Sequence, residues 1–122
     1  MTKLLWSGLA GGLLMAAVPA QAQNAANGAT VFKRTCSLCH SVDPGKKGLG
    51  PNLRGVIGRQ AGTAPDFAFS PAIKKAGTWT PAQLKAFLAE PRKVAPGNRM
   101  AFVGMPKPTD RDDLVAWLAM QK

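Results

Sequence analysis

The chain has 122 residues, enough for one domain, and carries a formal charge of +10 with 46% hydrophobic residues. So basic a chain points to an acidic partner surface. Nucleic acid, the other usual partner, is set aside: no aromatic-studded basic stripe occurs, and the chain opens like an exported protein.

In chain order, the first segment is a leader. Lys3 gives a positive start, "LLWSGLAGGLLMAAV" is an apolar run of fifteen, and Ala20-Gln21-Ala22 offers the small residues a signal peptidase needs. A spanning helix wants about 20 apolar residues, so the run is short for an anchor. Residues 1–22 are expected to be a cleaved signal and 23–122 the mature domain; losing Lys3 turns +10 into +9. "AANGATVFKRTCSLC" predicts a helix from Ala25 to about Leu38, with Val31 and Phe32 on its apolar side. About thirty glycine-rich residues without a period follow, a length that a compact domain seldom leaves unorganised. "SPAIKKAG" predicts a short helix capped by Ser70, opened by Pro71 and stopped at Gly77. "TPAQLKAFLAEP" repeats the design. Thr80 caps, Pro81 opens, Gln83 stands at capping-box distance, Leu84, Phe87 and Leu88 form a buried stripe, and Pro91 ends the helix. "TDRDDLVAWLAM" predicts a last helix, with Thr109 and Asp112 in capping-box spacing and Leu114, Val115, Trp117 and Leu118 facing inward. No strand pair is predicted.

Cys36, Cys39 and His40, in "RTCSLCHSV", are the only cysteines and histidine of the chain. A structural zinc site needs four ligands, typically Cys and His; only three exist, and His40 adjoins Cys39. A redox-active C-x-x-C needs the alternating strands and helices of a thioredoxin-like fold, and the chain is nearly strandless. A bare disulfide would close a two-residue loop and gain little. Covalent haem remains. Thiols at this spacing can form thioethers to one porphyrin, with the next residue presenting its imidazole to the iron. Such attachment outside the cytoplasm agrees with the leader. Iron has a second axial position, and no second histidine exists to fill it. Methionine is the other common choice, and a His/Met pair raises the reduction potential relative to two histidines. Outside the leader the candidates are Met100 and Met105, in the Pro/Gly-rich loop "PGNRMAFVGMP", and Met120 at a helix end.

Beyond this motif the chain resembles the class I cytochromes c, the mitochondrial type and its bacterial relatives. The resemblance runs from Gly28 to Leu118, in order through "CSLCH", "GLGPNLRGVIGR", "GTAPDFAFS", "GTW", "LAEPRKVAPGNRMAFVG" and "DLVAWL". It implies an all-α class I cytochrome c fold, three to five short helices and loops wrapped around one covalently attached haem c. It implies that Cys36 and Cys39 carry the thioethers. His40 is then the proximal iron ligand, its other ring nitrogen donating to the carbonyl of Pro51, and Met100 is the distal ligand. Gly28 would let the first helix cross the last closely against Trp117, with Phe32 and Leu114 packed beside the crossing. Arg59 and Trp79 would lie near a haem propionate, and Phe102 beside the haem edge.

The chain also departs from its family, having no tyrosine. Phe87 stands where relatives carry a Tyr that hydrogen-bonds the Met sulfur, and Phe69 where one reaches a propionate. Ile73 stands where many have asparagine, and Arg99 replaces the common lysine before the ligand. Ser70 and Asn98 remain as candidate donors.

The implied function is that of a periplasmic single-electron carrier, not an enzyme, in a respiratory or dehydrogenase-linked chain. Its implied partners are acidic-faced redox proteins: a cytochrome bc complex, an oxidase, a peroxidase or a periplasmic dehydrogenase. A monomer would dock transiently at such membrane complexes. Lys33, Arg34, Lys46, Lys47, Arg92, Lys93, Arg99 and Lys107 are expected around the haem crevice. Asp110, Asp112 and Asp113 are expected together at the start of the last helix, an asymmetry that would orient docking. The rival class is a haem peroxidase or gas-binding haem protein, which needs an open distal position and a polar group above it.

Overall fold

Asn24 takes an extended conformation, and its side-chain oxygen accepts from the Asn27 N–H at 3.0 Å, so a helix starts immediately after it. In the computed structural model, which describes Gly12 and residues 23–122, this is α1 (Ala25–Thr35). The expected leader lies outside the described residues. The other helices are α2 (Pro71–Lys74), α3 (Pro81–Ala89), α4 (Pro91–Val94) and α5 (Pro108–Ala119). Among the described residues there is no strand, only an isolated antiparallel bridge between Gln60 and Thr78.

α1 ends at Thr35 rather than near Leu38. The Cys36 N–H donates to the Phe32 carbonyl, and the chain then tightens, with the N–H groups of Cys39 and His40 both turned onto the Cys36 carbonyl. Ser70 and Thr80 cap α2 and α3 as predicted. Gln83 does not complete a capping box; its side-chain amide donates to the Ala76 carbonyl at 2.8 Å and ties α3 back to the end of α2. Pro91 terminates α3 and also opens α4, a short helix the sequence pattern did not announce. α5 begins two residues earlier than a Thr109 cap implies. Pro108, whose fixed φ suits the first helical position, starts it, so Thr109 lies inside the helix and caps nothing.

α5 crosses α1 at Gly28, where an added Cβ would run into the Asp113 carbonyl and the Trp117 Cβ. Beside that crossing the rings of Phe32 and Trp117 lie 4.8 Å apart. Val31, Leu114, Val115 and Leu118 fill the space between the two helices. α3 adds Leu84, Phe87 and Leu88 from the other side, and Trp79 packs on Phe87 at 5.0 Å.

The long segment between α1 and α2 is organised by hydrogen bonds to backbone carbonyls rather than by secondary structure. Asn52 donates to the carbonyls of Asp43 (2.7 Å) and Lys46 (3.0 Å), and Arg54 to that of Val42 (3.2 Å). Gly58 donates to the Trp79 carbonyl and Trp79 to that of Arg59, so the Arg59 and Trp79 segments run side by side.

Asp113 is the polar part of the α1–α5 clasp. It accepts the Asn24 N–H at 2.8 Å and the Asn27 side-chain amide at 2.7 Å, and these bonds hold its carboxyl below the ordinary 3.8. A depressed folded-state value contributes stability that is present above the unfolded value and is lost as pH falls through the folded one. Asp113→Asn should therefore unfold at lower urea than wild type at pH 7. Its further loss of stability between about pH 4 and pH 2 should be the shallower of the two. Urea midpoints across that range measure both effects.

Candidate functional site

The turn that follows α1 carries Cys36, Cys39 and His40. Cys36 packs against the core, and both cysteines are half-buried free thiols. Burial, reinforced by Cys39, pushes the Cys36 thiol up to about 11. A reactive thiol has a depressed pKa, so Cys36 does not stand in the environment of one. Among the described residues no cluster of His, Cys, Asp and Glu is arranged to chelate a metal ion, which argues against the zinc reading of the same three side chains.

His40 Nδ1 lies 2.7 Å from the Pro51 carbonyl. Burial lowers the His40 pKa, opposed by that hydrogen bond, and so favours the neutral imidazole a metal needs. With Nδ1 donating, the lone pair is on Nε2. The ring is also held from the side: a Cβ on Gly50 would lie 2.5 Å from its Cε1 and 2.8 Å from its Nδ1. The Gly50 N–H meanwhile donates to the Cys39 carbonyl at 2.8 Å.

The second half of the site comes from the loop between α4 and α5. Asn98 anchors it. Its amide donates to the carbonyls of Pro91 (3.1 Å) and Ala95 (2.9 Å), and its side-chain oxygen accepts the Met100 N–H at 3.0 Å. The Asn98 amide is thus committed to α4 and is not a free donor, whereas Ser70 Oγ accepts from the Ile73 N–H as the cap of α2, a bond that leaves its own O–H uncommitted. Sequence reasoning missed the anchoring role of Asn98 because α4 itself was missed; the signal was a proline opening four residues of helical composition. Met100 and Phe102 are half-buried against the core. Met105 is buried in it, its N–H donating to the Leu88 carbonyl at 2.7 Å, and Met120 is an exposed helix cap. Gly104, at φ +120°, passes so close to the Ala89 carbonyl that no side chain would fit.

Arg59 and Trp79 sit on the paired segments described above. The Arg59 guanidinium donates to the carbonyls of Asn52, at 3.2 Å, and Arg54. Cys36, Val42, Leu53, Ile57, Ile73, Val94, Met100 and Phe102, from opposite ends of the chain, all pack half-buried on one core. Their partly exposed apolar surface suits a hydrophobic group. Two free thiols, an oriented imidazole and a loop thioether fit a haem.

The expected charge asymmetry is weaker than the sequence implies. Asp113 is buried among amides, Asp112 pairs with Lys85 at 3.1 Å, and Asp110 pairs with Arg34 at 3.3 Å and Lys107 at 3.9 Å. The three carboxylates are engaged partners, not a free acidic pole. On the basic side, Lys33, Lys47, Arg92 and Arg99 have no ion-pair partner within 4 Å among the described residues, whereas Lys46 and Lys93 pair loosely with Asp43 and Glu90.

A C-x-x-C-H turn on this all-helical frame defines a c-type haem protein. The chain belongs to the cytochrome c family, whose model matches residues 25–122. It is 49% identical to a cytochrome c2 of Agrobacterium tumefaciens over 98 residues, 76% of this chain and 87% of that one. It is 45% identical to a cytochrome c of Chlamydomonas reinhardtii, over 81% and 90% of the two chains. Among solved structures, cytochrome cH from Methylobacterium extorquens aligns with a TM-score of 0.73 at 45% identity, over 79% of this chain and 97% of that one. The family carries one covalently attached haem c with iron and transports electrons, and this chain supplies its two cysteines at Cys36 and Cys39.

Because Gly50 abuts the His40 ring, Gly50→Ala should displace the imidazole or the strap. The expected loss is about 1–3 kcal/mol of stability, with a lower yield of haem-bearing protein. Leu49→Ala, next door but facing solvent, should change stability by no more than about 0.5 kcal/mol. Urea unfolding of both variants measures the contrast.

Proposed function

We propose that the chain is a periplasmic one-electron carrier in which Cys36 and Cys39 hold the haem and His40 and Met100 are the axial ligands. The observation that carries this reading is the 2.7 Å hydrogen bond between His40 Nδ1 and the Pro51 carbonyl, which aims the Nε2 lone pair of the only histidine. When bound, the haem supplies an iron that takes up and releases one electron. Cys36 and Cys39 would hold it as thioethers, each S–H adding across a vinyl group without loss of any atom. Met100 stands in a loop anchored by Asn98, while Met105 is buried with its backbone bound to Leu88, which supports Met100 as the distal ligand. A methionine at that position leaves no open site for peroxide or a gas, so the reading is a carrier and not a peroxidase or gas-binding protein. Phe102, Trp79 and Arg59 serve as packing and polar neighbours of the group. Lys33, Lys47, Arg92 and Arg99 provide the positive charge that attracts acidic-faced membrane complexes such as a cytochrome bc complex or an oxidase.

Protein purified from the periplasm should weigh residues 23–122 plus one haem that organic solvent cannot extract, and Cys36→Ala with Cys39→Ala should abolish stable holoprotein. Mass spectrometry after acid–ketone extraction decides this; extractable haem in the wild type rejects the reading.

The ligand assignment is tested by the red absorption band of sulfur-to-ferric-iron charge transfer. Met100→Ala should remove it and open the reduced protein to carbon monoxide, while Met105→Leu should leave both properties unchanged. The reverse pattern would transfer the assignment to Met105.

A further inference from the structure

Asn27 is the only one of the chain's four asparagines that precedes a glycine. Asn-Gly is the dipeptide most prone to deamidate, because an unhindered glycine nitrogen can reach the side-chain amide carbon before it. The nitrogen of Gly28 would attack Cγ of Asn27, expel ammonia and close a succinimide ring. Water then opens the ring at either carbonyl. The product is an aspartate, or an isoaspartate in which the main chain runs through the side-chain carbon. Ammonia leaves, water enters, and no oxidant or other reagent is needed.

In the folded protein every group this reaction needs is engaged. The Gly28 N–H donates to the Asn24 carbonyl at 3.0 Å, and the Asn27 N–H to the Asn24 side chain at 3.0 Å. The Asn27 side-chain amide donates to Asp113 at 2.7 Å and reaches Asp110 at 3.5 Å, so the leaving nitrogen is bound to α5. Ring closure requires Asn27 to leave its helical conformation, which breaks these bonds and lifts α1 from α5. The product also no longer fits. A carboxylate at position 27 has no proton to give Asp113 and faces both Asp113 and Asp110, while the cations at hand, Arg34 and Lys107, are already paired with Asp110. The helix start favours an acid in its first turn, but by less than the loss of a hydrogen bond to a charged acceptor. An isoaspartate adds a methylene to the main chain directly before Gly28, at a crossing with no room for one.

We propose that Asn27-Gly28 is a conditional modification site. Closed against α5 it is inert; in a chain whose α1 stands free of α5 it deamidates, and the product keeps α1 from seating again. The reaction converts time spent open into a permanent covalent mark on the first helix, at a rate set by the population of the open form. This goes beyond the carrier reading and rests only on the α1–α5 clasp.

The test uses the full haem-bearing protein, aged in warm, mildly alkaline buffer with and without unfolding urea. Mass spectrometry of the tryptic peptide ending at Lys33 follows the exchange of the amide for an acid, and enzymatic methylation identifies isoaspartate. In urea Asn27 should convert ahead of Asn24, Asn52 and Asn98. In buffer its conversion should be at least about tenfold slower. Asp113→Asn, which weakens the clasp, should raise the rate in buffer and leave the rate in urea unchanged. Refolded after ageing in urea, the wild type should contain a fraction with a lowered urea midpoint that matches its modified fraction. Asn27→Gln, aged alike, should contain none, because the longer side chain closes a ring far more slowly. Equal rates in buffer and urea would show that the clasp gives no protection. Conversion of Asn27 no faster in urea than that of the other asparagines would remove the site, and an unchanged midpoint in the modified fraction would remove its consequence. Any of these overturns the proposal, and none touches the haem attachment, which solvent extraction tests separately.

Discussion

Between Gly28 on α1 and the Asp113 carbonyl on α5 there is no room for a single methyl group. That contact brings the two ends of the domain together, and the remaining structure hangs from it. Asp113 captures the start of α1 through Asn24 and Asn27, and Phe32 and Trp117 stack beside the crossing. With α1 locked in place, Cys36 leaves its C-terminal end at a defined point, facing the core. The attachment turn thus inherits its position from a helix crossing about two turns back along α1. A bulkier residue at Gly28 would force the helices apart and move the turn with them.

The site is built mainly by backbone. Carbonyls of Pro51 and Cys39 hold the imidazole and the strap, and Asn98 holds the Met100 loop through the ends of α4. Glycines at 50 and 104 allow chain segments to pass closer than any side chain permits. Few charged groups take part in this scaffold. Arg59 is the main exception, and it is satisfied by carbonyls. Most of the charge stays on the surface, where it is available for docking.

What could be read from the sequence was what depends on near neighbours. Cys36, Cys39 and His40 form one local motif, and Ser70 and Thr80 cap helices that start beside them, so both were legible. Pro91 was read as a stop because a proline ends a helix; that it could also open α4 depends on Glu90 and the turn at Ala95. Thr109 and Asp112 had the spacing of a capping box, but Pro108 started α5 first and Lys85 on α3 took Asp112. The charges of Asp110, Asp112 and Asp113 were legible, while their partners lie on other elements and were not. Gly48 and Gly50 showed only as glycine-rich loop, since their function depends on what approaches from outside the segment.

The clasp also spans nearly the whole domain. The Asn24 N–H and the Asp113 carboxylate that accepts it are 89 residues apart in the chain. Made or threaded from its N-terminus, the chain presents residues 36–40 long before α5 exists to cross α1. Closing so long a loop costs entropy that the buried contact between α1 and α5 must offset. The turn that takes the cofactor is thus chemically complete while the domain is still open. The chain can be loaded first and closed afterwards, so that the last helix seals the architecture around a group already tied to it.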